Sequence, residues 1–103
     1  MEKLKGYRKK YLKGLAHGMN PLVFVGQKGL SPSVIKAVDE SLEKHELIKL
    51  KFIDFKEKGQ KEEIATAIEK ETASELVGKV GHIAIFYRQQ KDPEKRKINV
   101  PKR

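Results

Sequence analysis

From residue 3 to residue 17, Leu4, Tyr7, Tyr11, Leu12 and Leu15 recur at helical spacing, which predicts an amphipathic first helix. Lys5, Lys9, Lys13 and His17 stand four apart and form one row, predicted on its outer side. Gly18 and then Asn20-Pro21 stop the helix. "LVFV" at 22–25 is too short for a helix and reads as a buried strand. After "GQKG", Ser31 is placed to cap a second helix with Pro32 at its first position. Val34, Ile35, Val38 and Leu42 form that helix's core face; Asp39, Glu40, Glu43 and Lys44 form its wet face.

"LIKLKFI" at 47–53 alternates, with Ile48, Leu50 and Phe52 on one face and Lys49 and Lys51 on the other. A polar connection leads to a third helix at about 60–73, with Ile64, Ala67, Ile68 and Thr72 inward. "ELVGKV" and "HIAIFYR" read as two strands joined near Gly81. The order α-β-α-β-α-β-β predicts one α/β domain over residues 1–90, a four-stranded mixed sheet covered by helices. Residues 91–103 form a basic tail with little to bury, expected to be mobile, in which Ile98 and Val100 are candidates for a short edge strand.

Charge adds a partner class. Residues 1–20 carry six basic side chains and one acidic, residues 88–103 seven and two, and residues 21–87 ten and eleven. Two strongly basic ends therefore flank a nearly neutral middle within a chain of net charge +9. This is the footprint of a polyanion-binding protein, nucleic acid before an anionic membrane; the plain alternative is a lysine-rich, soluble surface. The chain has no cysteine, which removes disulfides and thiolate metal sites and fits a reducing, cytoplasmic setting. No apolar run approaches the length of a membrane span, and the first residues do not resemble a signal peptide.

The candidate chemistry lies at "VGQKGLSPSV". Backbone N–H groups at a strand-to-helix junction favour an anion. Gly26 and Gly29 permit close approach of a phosphate backbone, and Lys28 adds charge, so Gly26-Gln27-Lys28-Gly29 has the parts of a GxxG clamp. A plain turn is the competing reading. "GKVG" at 78–81 has the same spacing inside the last hairpin, where Gly78 and Gly81 read as bulge or turn glycines. A P-loop would need a lysine and hydroxyl that are not in place.

Lys5, Lys9, Lys13 and His17, with Arg8 and Lys10 beside them, form either a solvated helix face or a phosphate-contacting one. The absence of any acid between Glu2 and Asp39 favours the second. Lys49 and Lys51 lie on a sheet face that is either open to the basic surface or covered by a helix. Tyr87, before Arg88, is either a base-stacking residue or a core-edge tyrosine. The three histidines are too dispersed for a metal motif. His45 reads as packed or dipole-stabilised near a helix end. Ser41 and His45 stand four apart without a recognisable third member or oxyanion site, and Asp39, Glu40 and Glu43 read as a solvated face, so no catalytic set or cofactor is expected.

"YLKGLAHGMNPLVFVGQKGLSPSVI", "HELIKLKF" and "VGHIAIFYR", in this order between about Lys3 and Arg88, closely resemble the bacterial YhbY family of stand-alone CRM-domain proteins (chloroplast RNA splicing and ribosome maturation). The resemblance implies an RNA-binding domain similar to the C-terminal domain of translation initiation factor three, with a KH-like GxxG loop. It implies association with ribosomal RNA in precursors of the large subunit and a non-enzymatic role in assembly. It assigns RNA contact to Gly26, Gln27, Lys28 and Gly29, to Lys13 and His17, and to Lys49 and Lys51; charge adds Lys5, Arg8, Lys9 and Arg88. His82 departs from the basic residue often found after the hairpin glycine, and the 54–60 loop looks variable. The expected state is a cytoplasmic monomer. A protein-interaction module docking on an acidic ribosomal or assembly protein is the alternative.

Overall fold

The computed structural model describes residues 6–26, 28–53 and 58–100. Lys5, Gln27 and residues 54–57 and 101–103 lie outside them, so the expectations placed there are not addressed by the structure. The elements follow in the order α1 (Gly6–Ala16), β1 (Val23–Val25), α2 (Pro32–His45), β2 (Leu47–Phe52), α3 (Lys58–Thr72), β3 (Glu75–Val80), β4 (Ile83–Tyr87) and a short 3-10 turn, Pro93–Lys95.

The sheet order is β1-β2-β4-β3. β1 runs parallel to β2, and β4 is antiparallel to both β2 and β3. β2 and β3 therefore run the same way with β4 inserted between them, the mixed four-stranded sheet expected from the element order. The alternation in β2 sorts the two cores. Ile48, Leu50 and Phe52 join Val23, Val25, Val38, Leu42, Ile68 and Phe86 beneath α2 and α3. On the other face Leu47, Ile85 and Tyr87 meet Leu12 and Ala16 of α1 and Val100. Each fully buried side chain of this size contributes roughly 1.5–3 kcal/mol.

Three expectations change. In α1 the buried seam is Leu12 and Ala16, whereas Tyr11 and Leu15 are 40% and 43% exposed. The helix lies on a small area of sheet, so only a narrow stripe is covered. In α3 the inward stripe includes Lys61, Ala65, Ile68 and Thr72. Lys61 fits there because its stem is buried while its ammonium reaches the Gly81 carbonyl at 3.5 Å. Ile98 and Val100 form no edge strand: Val100 is buried in the α1-side core and Ile98 packs against it, so the tail does have something to bury.

What ties the tail is Glu46. It is 1% exposed and has φ +64°, in the left-handed region that non-glycine residues seldom occupy. Its N–H donates to the Leu42 carbonyl at 2.8 Å, closing α2, and its carbonyl accepts from Arg88 at 2.8 Å. Its carboxylate accepts the backbone N–H groups of Gln90 (2.8 Å), Lys97 (2.6 Å) and Ile98 (3.0 Å). Glu46→Ala should lower stability to urea by about 3 kcal/mol, because it strands buried donors. Amide exchange should rise first at Gln90, Lys97 and Ile98; unchanged protection there would contradict the assignment.

Tyr87 is buried beside this carboxylate. Burial first, and then the Glu46 charge, raise its phenol above the ordinary 10.0, while Arg8 and Arg96 pull it down. The unfolded tyrosine ionises first, so this group costs no stability below pH about 10 and weakens the fold as pH rises past it. An alkaline titration at the phenolate absorbance should place the step that is missing in Tyr87→Phe above 10.0.

Candidate nucleic-acid interface

The face of the sheet that carries α1 is only half covered. Register puts Phe24, Lys51, Ile83 and Val80 side by side across β1, β2, β4 and β3. They form a strip about 14 Å wide at the usual strand spacing. Phe24 is 53% and Val80 67% exposed, and Lys51 is exposed. One row closer to α1 stand Lys49, Ile85 and Gly78. Lys49 is half-buried, and its Nζ donates to the His17 carbonyl at 3.3 Å, so α1 ends against this row. The sheet face is thus covered at the Leu47 end and open at the Lys51 end, which resolves the alternative left by the sequence.

Gly78 lies under Lys13. A Cβ at position 78 would stand 2.4 Å from Lys13 Cε, so the glycine leaves the space through which the lysine stem crosses β3. Lys9, one turn earlier, approaches Glu75 Oε2 at 3.9 Å. Lys9 and Lys13 therefore border β3, and His17 ends the row beside Lys49 of β2, while Lys13 and His17 remain exposed.

The 26–29 loop leaves the sheet at the open end, since Val25 pairs with Phe52. It is a tight turn in which the Gly29 N–H donates to the Gly26 carbonyl at 2.9 Å. Gly29 has φ +72°, a conformation that suits glycine. Ser31 caps α2 by accepting the Val34 N–H at 3.3 Å, with Pro32 next. The junction thus uses the Gly29 and Val34 N–H groups internally, and Pro32 has none. The helix N-terminus offers an anion less than its sequence suggests. The loop's case rests on exposed Gly26 and Lys28. The other GxxG, at 78–81, is the predicted bulge and turn: the register shifts between Leu76 and Gly78, and Gly81 has φ +57°.

The predicted residues separate into two groups. Gly26, Lys28, Gly29, Lys13, His17, Lys49 and Lys51 gather around the open end of the sheet and the adjoining end of α1. Lys9 lies toward Glu75, and Arg8 acts on Tyr87, at the opposite end. Arg88 does not join the basic surface. Its guanidinium donates to Asp39 Oδ1 (2.7 Å), the Thr72 carbonyl (2.8 Å) and Glu43 Oε1 (3.3 Å). It leaves β4 beside Glu46, about 20 Å along β2 from the loop end. Tyr87, 3% exposed, is a core residue and presents no ring for stacking. His45 is exposed in the last turn of α2, not packed. Among the described residues no three His, Asp or Glu side chains could share a metal ion. No described helix is long and apolar enough to cross a membrane.

Phe24 is the residue sequence reading misses. "LVFV" looks uniformly buried, but β1 is an edge strand and α1 does not extend over it. The lysines at every second position of the next strand are the signal that this face is wet.

A three-helix α/β domain with a half-covered mixed sheet and a basic open end defines the class. The CRS1 / YhbY (CRM) domain model matches residues 4–88, and the chain belongs to that family. It is 38% identical over 103 residues to an RNA-binding protein of Haemophilus influenzae, covering all of both chains. It is 34% identical over 98 residues to the "Probable RNA-binding protein YqeI" of Bacillus subtilis, covering 95% of this chain and 99% of that one. The solution structure of SAV1595 from Staphylococcus aureus superposes with a TM-score of 0.79 at 33% identity, covering 96% and 100% of the two chains.

Arg88→Ala should cost about 1–2 kcal/mol in urea unfolding, since a hydrogen-bonded, partly screened ion pair is removed. Lys28→Ala should stay within about 0.5 kcal/mol of the parent. Equal effects in the two variants would erase the distinction between a holding and a displayed cation.

Proposed function

We propose that this protein binds RNA with the open end of its sheet and serves, without catalysis, as an assembly factor. Its target is ribosomal RNA in precursors of the large subunit. The observation that carries the reading is the gathering of Lys13, His17, Lys49, Lys51 and the 26–29 loop around the open end of the sheet, where the described strand positions include no acid. Gly26, Gln27, Lys28 and Gly29 lie along the sugar-phosphate backbone, and the lysines neutralise neighbouring phosphates. Arg8 and Lys9 extend the field along the first helix, and Lys5 adds a further positive charge. Phosphate contacts fix position and carry little sequence information, so RNA shape and unpaired bases supply selectivity. The family membership and the RNA-binding relatives support this reading, as does the likeness of the GxxG segment to backbone-gripping loops. The protein acts as a cytoplasmic monomer.

With phosphate contacts from Lys13, Lys28, Lys49 and Lys51, the logarithm of affinity for structured ribosomal RNA should fall with the logarithm of salt at a slope of about −3. Replacing Gln27 and Lys28 by Glu should weaken binding roughly tenfold in a folded protein, and should flatten that slope by about one for each phosphate no longer neutralised. Gel-shift titrations across salt read both; a flat salt response in the parent sinks the proposal. Exposed Tyr11 and Leu15 favour a second reading, docking on an acidic ribosomal or assembly protein. Partners that co-purify after nuclease digestion would support that reading instead.

A further inference from the structure

We infer that Phe24 is a stacking platform for an unpaired RNA base, so that the open strip of the sheet recognises single-stranded nucleotides. This deepens the RNA-binding reading and rests on it. The ring is 53% exposed although Val23 and Val25 on either side are 4% and 0% exposed. It therefore projects from the opposite face of β1, toward the side that α1 leaves bare. Its register partner on β2 is Lys51. Leu22, two residues earlier and 46% exposed, extends the apolar surface, and Lys49 closes the next row.

An aromatic ring beside cations on a sheet face is the arrangement that takes bases on π-faces and phosphates on charge. Charge selects the occupant: among the described residues, the sheet positions around the ring bring lysines and apolar side chains and no carboxylate, which suits a polyanion carrying flat apolar bases. A paired duplex hides its bases and cannot stack here, so Phe24 separates single-stranded from double-stranded RNA. The loop and lysines contribute to both.

The test uses the whole chain, a short unstructured fluorescein-labelled RNA and a fully paired RNA duplex. Phe24→Ala should weaken single-strand binding about tenfold and leave duplex binding within about twofold. The variant should fold normally, since the ring is largely in solvent, and circular dichroism checks this. The chain has no tryptophan. Phe24→Trp should keep single-strand affinity and place one indole at the site, quenched by the single strand and not by the duplex. If the parent binds both RNAs and folded Phe24→Ala binds them as well as the parent does, stacking is overturned while RNA binding stands. If the parent binds neither, both readings fall. If sedimentation finds a dimer that Phe24→Ala dissociates, the strip belongs to a second copy of the chain and the inference is overturned.

Discussion

One buried carboxylate organises this domain. Glu46 is the single residue between the end of α2 and the start of β2. It takes a left-handed turn that a side chain normally resists, and three backbone N–H groups hold that side chain in place. An ionised acceptor satisfied by several donors can remain buried. Because the helix-to-strand junction has no slack, the phase of β2 is set there. A slip by one residue would send Lys49 and Lys51 into the α2–α3 core and bring Ile48, Leu50 and Phe52 out.

The domain thus has a holding end and a displaying end. At the holding end Arg88 joins the last strand to α2 and α3, and Gln90 donates to the Glu43 carbonyl at 2.8 Å while the tail folds back over Glu46. At the displaying end Lys28, Lys51 and Phe24 stand in solvent on backbone fixed elsewhere. Separating the two by the length of a strand allows a charged surface to be presented without burying charges that the core would have to neutralise.

Much of this was legible in the chain. Period-two alternation in "LIKLKFI" identified both faces of β2, and Ser31-Pro32 marked the helix start at its observed position. What escaped was whatever depended on how far one element reaches over another. Tyr11 and Leu15 have core spacing, but the narrow footprint of α1 leaves them exposed. Phe24 sits in an apolar run whose edge position only topology reveals. Arg88 counted as one more cation until its carboxylate partners, 45 and 49 residues away, were in view. The tail looked too polar to dock, because besides Ile98 and Val100 its anchor is the Glu46 carboxylate on backbone N–H groups, which no side-chain pattern reveals.

Gly78 shows how a surface can be shaped by an atom that is not there. Lys13 rests in the volume a methyl group would occupy, and that rest is with the far end of a flexible chain, which can move aside at little cost. The position is therefore nearly invisible to thermal stability and yet sets how low one positive charge rides over the sheet. Drift at such a site would redraw the electrostatic contour of the molecule while its melting curve stayed the same.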